Sequence, residues 1–258
     1  LAVPNESLVS LPILLVMLLC LCWLIPNRNL RSTLILVINF FLVFTGFGLL
    51  VAPIVIFLLA FDVYRIYRTH AEGLRSSVLF FGATLATTLL YFVNYHFDPA
   101  VDCFSLSFRN VLKTPIFMGL QYVKLLGRNY GGKSDLFSIG AGLLLLLIIV
   151  SIFFYHLIKL LRNSKHPGLL DQIIVILMGY SLLFGISAAT GRLCLGMEAS
   201  QSSRYTPFLF PALLGLYFHL LSLTKIKYRT ALLVIFVGLS LLTLHPVSYY
   251  DNEIFMFS

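Results

Sequence analysis

The sequence contains few charged residues, and acidic side chains are fewer than basic ones. Of 258 residues, 59% are hydrophobic and 11% are charged, with 10 acidic side chains against 18 basic ones. A soluble domain of this length cannot bury so much apolar surface, so the composition excludes a soluble globular protein and predicts an integral membrane protein. We interpret the net charge of +8 as a signal of membrane topology, with attraction to anionic lipid head groups. It gives no support for nucleic-acid binding.

Recognisable catalytic and metal-binding motifs are also lacking. The six histidines are scattered, with no H-E-x-x-H or similar spacing, and no Ser–His–Asp or Cys–His set can be identified. We therefore expect no metal site and no cofactor, and leave open whether a divalent cation takes part.

Long apolar runs, by contrast, are abundant. A helix needs about 20 apolar residues to cross the hydrocarbon, because it rises 1.5 Å per residue and its backbone must satisfy its own polar groups. The predicted fold is all-α, a polytopic helical membrane protein forming a single integral membrane domain over residues 1–258. Seven runs are candidate spans: 8–25, 34–61, 78–97, 137–161, 173–191, 207–223 and 231–246.

The second run is long for one span and contains Gly46, Gly48 and Pro53. It is tilted, kinked at Pro53, or a tight pair of short helices, and the side on which Arg28 and Arg31 lie depends on which of these holds. The chain opens with Leu1 and has no basic segment before its first apolar run, so a cleaved signal peptide is a poor interpretation and we expect native N-terminal sequence to be missing.

Basic connections set the predicted orientation. Three short ones carry Arg65, Arg68 and Arg75, then Lys159, Arg162 and Lys165, then Lys225, Lys227 and Arg229. Short basic connections stay in the cytoplasm. The segments 98–136 and 191–207 and the C-terminal tail from Pro246 are therefore predicted on the outer face.

The outer segment 98–136 is predicted to be one or two amphipathic helices in the membrane interface, broken near Pro115. Its apolar residues recur at steps of three and four, with basic residues between them. Such a helix either shields the spans below it or binds lipid phosphate. The basic residues are Arg109, Lys113, Lys124 and Arg128.

The same segment ends in "GRNYGGKS", residues 127–134, which fits the phosphate-loop pattern. That chemistry requires a strand before the loop and a soluble helix after it, whereas here an interfacial helix precedes and a membrane span follows. We expect no nucleotide binding and interpret Gly131 and Gly132 as a turn.

Two further pairs of residues have open interpretations. His156 and His219 fall within predicted spans, where they are packed and hydrogen-bonded or form a proton relay. Cys103 and Cys194 both fall on the predicted outer side, where oxidation can occur, so a disulfide between them is a hypothesis.

The stretch "GRLCLGMEASQSSRYTP", residues 191–207, places Arg192, Glu198 and Arg204 beside the membrane. An unpaired Arg costs about 2.5–3.5 kcal/mol at mid-bilayer, so these side chains need partners. Gly191 and Gly196 favour a broken helix that could bring them together as a re-entrant polar loop. The loop is either a structural salt-bridge cluster or an anion site, because guanidinium groups match phosphate oxygens in a bidentate way.

A resemblance bears on that choice. "TGRLCLGMEASQSSRYTPFLFPALLGLY", opening G-R-x-x-x-G and reaching S-R-Y before a span, resembles a pattern of bacterial polytopic membrane proteins, mostly uncharacterised. Over residues 78–222 the layout is similar to that of GT-C glycosyltransferases, which use polyprenyl-phosphate-linked sugars on the outer face. The resemblance implies the bacterial inner membrane, and Arg192, Arg204 and Tyr205 as ligands of the carrier phosphate.

The resemblance also implies a catalytic acidic residue on the first outer loop, near the N-terminus. Before Asp62 this sequence contains one acidic residue, Glu6. The candidates that remain are Asp98, Asp102 and Glu198. The sequence therefore predicts a GT-C-like glycosyltransferase or its carrier-binding part, with membrane lipids and the polyprenyl-phosphate carrier as partners. A non-catalytic subunit that anchors a larger membrane complex is the alternative, and a secondary transporter is a weaker one because ionisable residues within the spans are few.

Overall fold

In the computed structural model the described residues are 6–70, 72–93, 108–127, 135–162 and 168–223, with residues 227, 229, 230 and 234. Their regular structure is entirely helical, which confirms the predicted all-α class. Within these ranges the α-helices are α1 (Glu6–Cys22), α2 (Arg28–Val43), α3 (Ala52–Thr69), α4 (Leu74–Leu90), α5 (Phe108–Leu125), α6 (Leu136–Arg162), α7 (Leu169–Arg192) and α8 (Thr206–Leu221).

Three helical segments are long and apolar enough to cross a membrane: Phe47–Thr69, Leu136–Arg162 and Leu169–Leu195. Leu11–Cys22 and Leu74–Leu90 are apolar but shorter. The fold is thus compatible with an integral membrane protein, whereas seven spans are not confirmed. Of the last predicted run, 231–246, only residue 234 lies among the described residues.

The long run 34–61 is a pair of helices rather than one span. α2 ends at Val43, and the chain turns through Gly46, whose φ of 71° is accessible to glycine at little cost. A short 3-10 helix, Phe47–Val51, then leads into α3. Pro53 lies in the first turn of α3, where its missing N–H breaks no helical hydrogen bond. Of the three interpretations left open by the sequence, the tight helix pair is correct.

The α1–α2 connection lies beside the α3–α4 connection. Arg28 Nη2 donates to the Glu72 carbonyl over 2.9 Å, and Ser76 Oγ donates to Asn29 Oδ1 over 3.2 Å. Arg31 Nη2 lies 3.5 Å from Asp62 Oδ2 of α3, so both arginines belong to the same end of the bundle as the α3–α4 connection. The side of the membrane on which this end lies stays a prediction.

α7 is the central helix. Of its apolar window 72% is buried inside the protein, against 22% for that of α6. It runs antiparallel to α3: the Phe47 ring lies 5.2 Å from that of Phe184, while a Cβ added at Gly179, one turn earlier, would lie 2.6 Å from Ile54. The beginning of α3 and the end of α7 are consequently at one end of the bundle, and the basic α3–α4 connection is at the other.

α7 and α8 are held together by a serine inserted into the α8 backbone. Buried Ser181 donates from Oγ to the Phe208 carbonyl over 3.1 Å and accepts from the Ala212 N–H over 3.0 Å. α8 contains Pro207 and Pro211, which have no N–H to donate. Hydroxyl side chains of neighbouring helices commonly satisfy backbone groups freed in this way.

α5 differs from the broken interfacial helix that was predicted. It continues through Pro115, since a single proline removes one hydrogen bond while the packing of the following turns remains. Its second half is buried: Phe117, Leu120, Gln121, Tyr122 and Val123 are at most 2% exposed. The basic helix therefore packs deeply into the bundle instead of only covering its surface.

Candidate functional site

The polar segment between α7 and α8 is a chain of three short 3-10 helices. They cover Leu193–Leu195, Met197–Gln201 and Ser203–Tyr205. Gly196, with φ of 95°, makes the reversal between the first two, a backbone conformation that other residues rarely adopt. The predicted break at Gly196 is confirmed, whereas α7 runs past Gly191 and ends at Arg192.

This segment, called the arginine loop below (residues 192–205), is attached to the bundle by side chains between its charges. Gln201 Nε2 donates to the Leu120 carbonyl of α5 over 2.8 Å. Ser200 is buried and its Oγ donates to the Met197 carbonyl over 2.6 Å. The Tyr205 ring lies 5.8 Å from the Phe184 ring of α7. These contacts fix the loop backbone and leave its charged side chains on the outside.

Arg192, Glu198 and Arg204 are all exposed. Among the described residues, no ion pair joins Glu198 to either arginine. Of the two interpretations of this segment, the salt-bridge cluster is therefore not formed. The two guanidinium groups stay accessible to an external anion.

The other predicted phosphate ligands are placed less completely. Lys113 and Lys124 lie on α5 and are half-buried, and α5 packs against the arginine loop through Leu120. Arg109 belongs to α5, but its side chain is outside the described part of the structure. Outside the described residues altogether lie Asp98, Asp102 and Arg128.

Cys194, in the arginine loop, is disulfide-bonded. Its predicted partner Cys103 lies outside the described residues, so this pairing stays a prediction. Cys20 and Cys22, in α1, are free and buried.

A second polar cluster lies at the other end of the α7–α8 hairpin. His156 Nδ1 lies 2.6 Å from Asp171 Oδ1, and His156 Nε2 lies 2.9 Å from Nδ1 of His219. Lys159 Nζ donates to the same Asp171 oxygen over 3.0 Å. We call these four residues the histidine array. His156 is fully buried and Asp171 is 4% exposed, so the array is an internal network.

Three helices build the array. His156 and Lys159 are neighbours on one face of α6, three residues apart. Asp171 lies in the first turn of α7, a favoured position for a carboxylate because of the helix dipole. Gly168 precedes that turn, and a Cβ there would collide with the Asp171 carboxylate. His219 comes from the last turn of α8.

Sequence reasoning found only half of this array. The prediction that both histidines are hydrogen-bonded within the helices is confirmed. The sequence pattern places Lys159 only in a basic connection, and it does not distinguish Asp171. The available signal was an acidic residue at the start of an otherwise apolar helix, where a buried carboxylate needs a partner.

The array is not arranged as a metal site. No group of three or more His, Cys, Asp or Glu residues in the described ranges could hold a metal ion. Both ring nitrogens of His156 make hydrogen bonds within the array, so neither is left to bind a metal ion together with its neighbours.

No protein-family model, curated protein or solved structure matches this chain. What the molecule does must therefore be inferred from its two polar clusters.

Proposed function

We propose that this chain binds a polyprenyl-phosphate carrier at the arginine loop, as a GT-C-like glycosyltransferase of the bacterial inner membrane or the carrier-binding part of one. The proposal depends mainly on one observation. Arg192 and Arg204 are exposed, lie within one short ordered loop, and are not neutralised by the carboxylate between them. The topology predicted from the basic connections puts this loop on the outer face.

Guanidinium groups suit the chemistry of sugar transfer from such a carrier. When the sugar leaves, negative charge builds up on the carrier phosphate, and a bidentate donor stabilises the transition state, which carries more of that charge, better than the bound substrate. Lys113 and Lys124 lie on α5, the helix that contacts the loop through Leu120. Glu198 is exposed on the same loop and is one candidate base toward the acceptor, with Asp98 and Asp102 as the others.

Carrier binding can be measured on the full chain in detergent, with a short-chain polyprenyl phosphate as the probe and isothermal titration as the readout. Arg192→Gln and Arg204→Gln remove one guanidinium each. A hydrogen bond to a charged group contributes about 1.5–3 kcal/mol, so each change is expected to weaken binding by about ten-fold or more. Arg75→Gln is the matched control, because Arg75 is also exposed but lies in the first turn of α4, at the opposite end of the bundle.

Two further probes identify what is recognised. A polyprenol without phosphate is expected not to bind, and inorganic phosphate is expected to bind much more weakly than the lipid phosphate. If Arg204→Gln and Arg75→Gln bind the probe equally, the arginine loop is not the site. Loss of sugar transfer from a lipid-linked donor in Arg204→Gln, with the fold intact, would extend the result from binding to catalysis.

A non-catalytic anchoring subunit is the second candidate, and one observation favours it. Only 22% of the apolar window of α6 is buried within the chain, so its outward face needs lipid or another helix to cover it. Large apolar side chains occupy this face: Leu144, Leu147, Phe154, Ile158 and Leu161. Copurification in fixed stoichiometry with another membrane chain, without binding of the lipid phosphate, would select this function instead.

A further inference from the structure

The histidine array has a defined hydrogen-bond direction. Lys159 Nζ lies 3.0 Å from Asp171 Oδ1. The Lys159 side chain is 42% exposed and that of Asp171 only 6% exposed, so a partly exposed ammonium compensates the charge of a buried carboxylate. An ionised carboxylate accepts hydrogen bonds and donates none. Because His156 Nδ1 lies 2.6 Å from the same oxygen, that nitrogen must be the donor.

This direction passes along to His219. A neutral imidazole donates from one nitrogen and accepts at the other, so His156 accepts at Nε2. Nδ1 of His219 lies 2.9 Å away and must then be the donor, which leaves the lone pair of His219 on Nε2. His219 is half-buried, and its Nε2 has no hydrogen-bond partner among the described residues. The array therefore ends in a basic nitrogen that nothing in the described chain occupies.

We propose that the histidine array is a proton-accepting relay whose entry point is Nε2 of His219. A proton from water or another protic group binds to Nε2, and the proton on Nδ1 passes to Nε2 of His156. His219 returns to neutrality as the other tautomer, and the positive charge rests on His156 beside the Asp171 carboxylate. One proton enters and none leaves, so the array gains one positive charge, and that charge lies next to the Asp171 carboxylate.

Asp171 is the group that stabilises this end state. Among the described residues, the charged groups beside the two imidazoles are Asp171 from α7 and Lys159 from α6, and the Tyr155 ring lies edge-on to both, at 5.1 Å from His156 and 6.1 Å from His219. Asp171 contacts His156 directly, so its carboxylate offsets part of the cost of burying a charge there, while repulsion by the Lys159 ammonium adds to that cost.

The position of the entry point gives the relay a direction in the molecule. His219 lies in the last turn of α8, while the arginine loop lies before its first turn. The relay is thus accessible from the end of the bundle that carries the basic connections. This location is independent of carrier binding, so the two proposals can fail separately.

Nitrogen-15 NMR of histidine-labelled full chain in nanodiscs tests the relay. During a pH titration His156 and His219 are expected to change together, as coupled sites do, and His70 is the internal reference because it is exposed at the end of α3. Asp171→Asn removes the charge that holds the proton. Loss of a contacting opposite charge is expected to weaken proton binding by the pair about ten-fold or more, without moving His70.

Lys159→Met provides the opposite test and changes a partly exposed side chain, so it should leave the fold intact even where Asp171→Asn does not. It is expected to strengthen proton binding by the pair several-fold. If the two histidines titrate independently, bind no proton between about pH 5 and 8, or respond to Lys159→Met no more than His70 does, the array is a static structural link and the proposal is wrong.

Discussion

The contact between α5 and α6 permits a sharp test of the packing that supports the arginine loop. The two helices approach most closely where Gly119 faces Gly142. A Cβ added at Gly142 would lie 2.5 Å from the carbonyl carbon and oxygen of Gly119, and one added at Gly119 would lie 2.8 Å from the carbonyl carbon of Gly142. Carbon atoms in ordinary contact are about 3.5–4.0 Å apart, so Gly142→Ala must push the backbones apart by about 1 Å.

Two opposing terms set the size of the effect. Alanine is favoured over glycine inside a helix by about 1 kcal/mol. Overpacking a close contact costs about 1–3 kcal/mol, and here the obstacle is backbone rather than a movable side-chain tip. The difference is about 0–2 kcal/mol, and the backbone obstacle puts Gly142→Ala toward the upper end of this range. We therefore expect its unfolding temperature to fall by a few degrees, since 1 kcal/mol corresponds to about 2–4 °C in a chain of this size.

Gly140→Ala is the matched control, since Gly140 lies on the same helix, is exposed, and would have nothing within 4 Å of an added Cβ. It keeps the helix-propensity gain without the collision, so it should raise the unfolding temperature. Thermal unfolding of both variants in the same detergent gives the comparison. If Gly142→Ala is as stable as Gly140→Ala, the close approach of α5 and α6 is wrong, and so is the placement of α5 beside the arginine loop.

Two other substitutions test the hairpin and the opposite end of the bundle. Ser181→Ala removes a buried bridge to the α8 backbone and should be destabilising by about 1–3 kcal/mol in thermal unfolding, whereas Ser187→Ala, on the same helix without such a bridge, should be near neutral. Asp62→Asn breaks contacts of 3.0 Å to Arg65 and 3.5 Å to Arg31 and should lower stability in a salt-dependent way, while Glu72→Gln, at an exposed site nearby, should change it little.

The fold class could be predicted because apolar composition decides it, but helix boundaries within apolar runs could not. Residues 34–61 contain one continuous apolar pattern, and only the conformation at Gly46 separates α2 from α3. In the same way Pro115 suggested a break in α5, although burial of the following turns keeps that helix continuous. In both cases the sequence allows either a continuous or a broken helix, and tertiary packing decides which of the two forms.

The candidate sites were predictable to different degrees for a related reason. The arginine loop is contiguous in sequence, so Arg192, Glu198 and Arg204 stood out together as charges beside a membrane. The histidine array joins His156 to His219, which are 63 residues apart, through three helices. One-dimensional spacing carries no signal for such a contact, and Asp171 on its own resembles an ordinary acidic residue in a first helical turn.

Charge compensation distinguishes the two ends of the α7–α8 hairpin. α8 has 16 residues, so the ends are separated by about 24 Å at 1.5 Å per residue. At the array, the Asp171 carboxylate accepts hydrogen bonds from Lys159 and His156, and Nε2 of His219 is the proposed acceptor for an added proton. At the arginine loop, two exposed guanidiniums and one exposed carboxylate form no ion pair with one another, which leaves positive charge for an anion. According to the two proposals, one hairpin, bridged by Ser181, accepts a proton at one end and an anion at the other, and neither arrangement is needed merely to pack apolar helices.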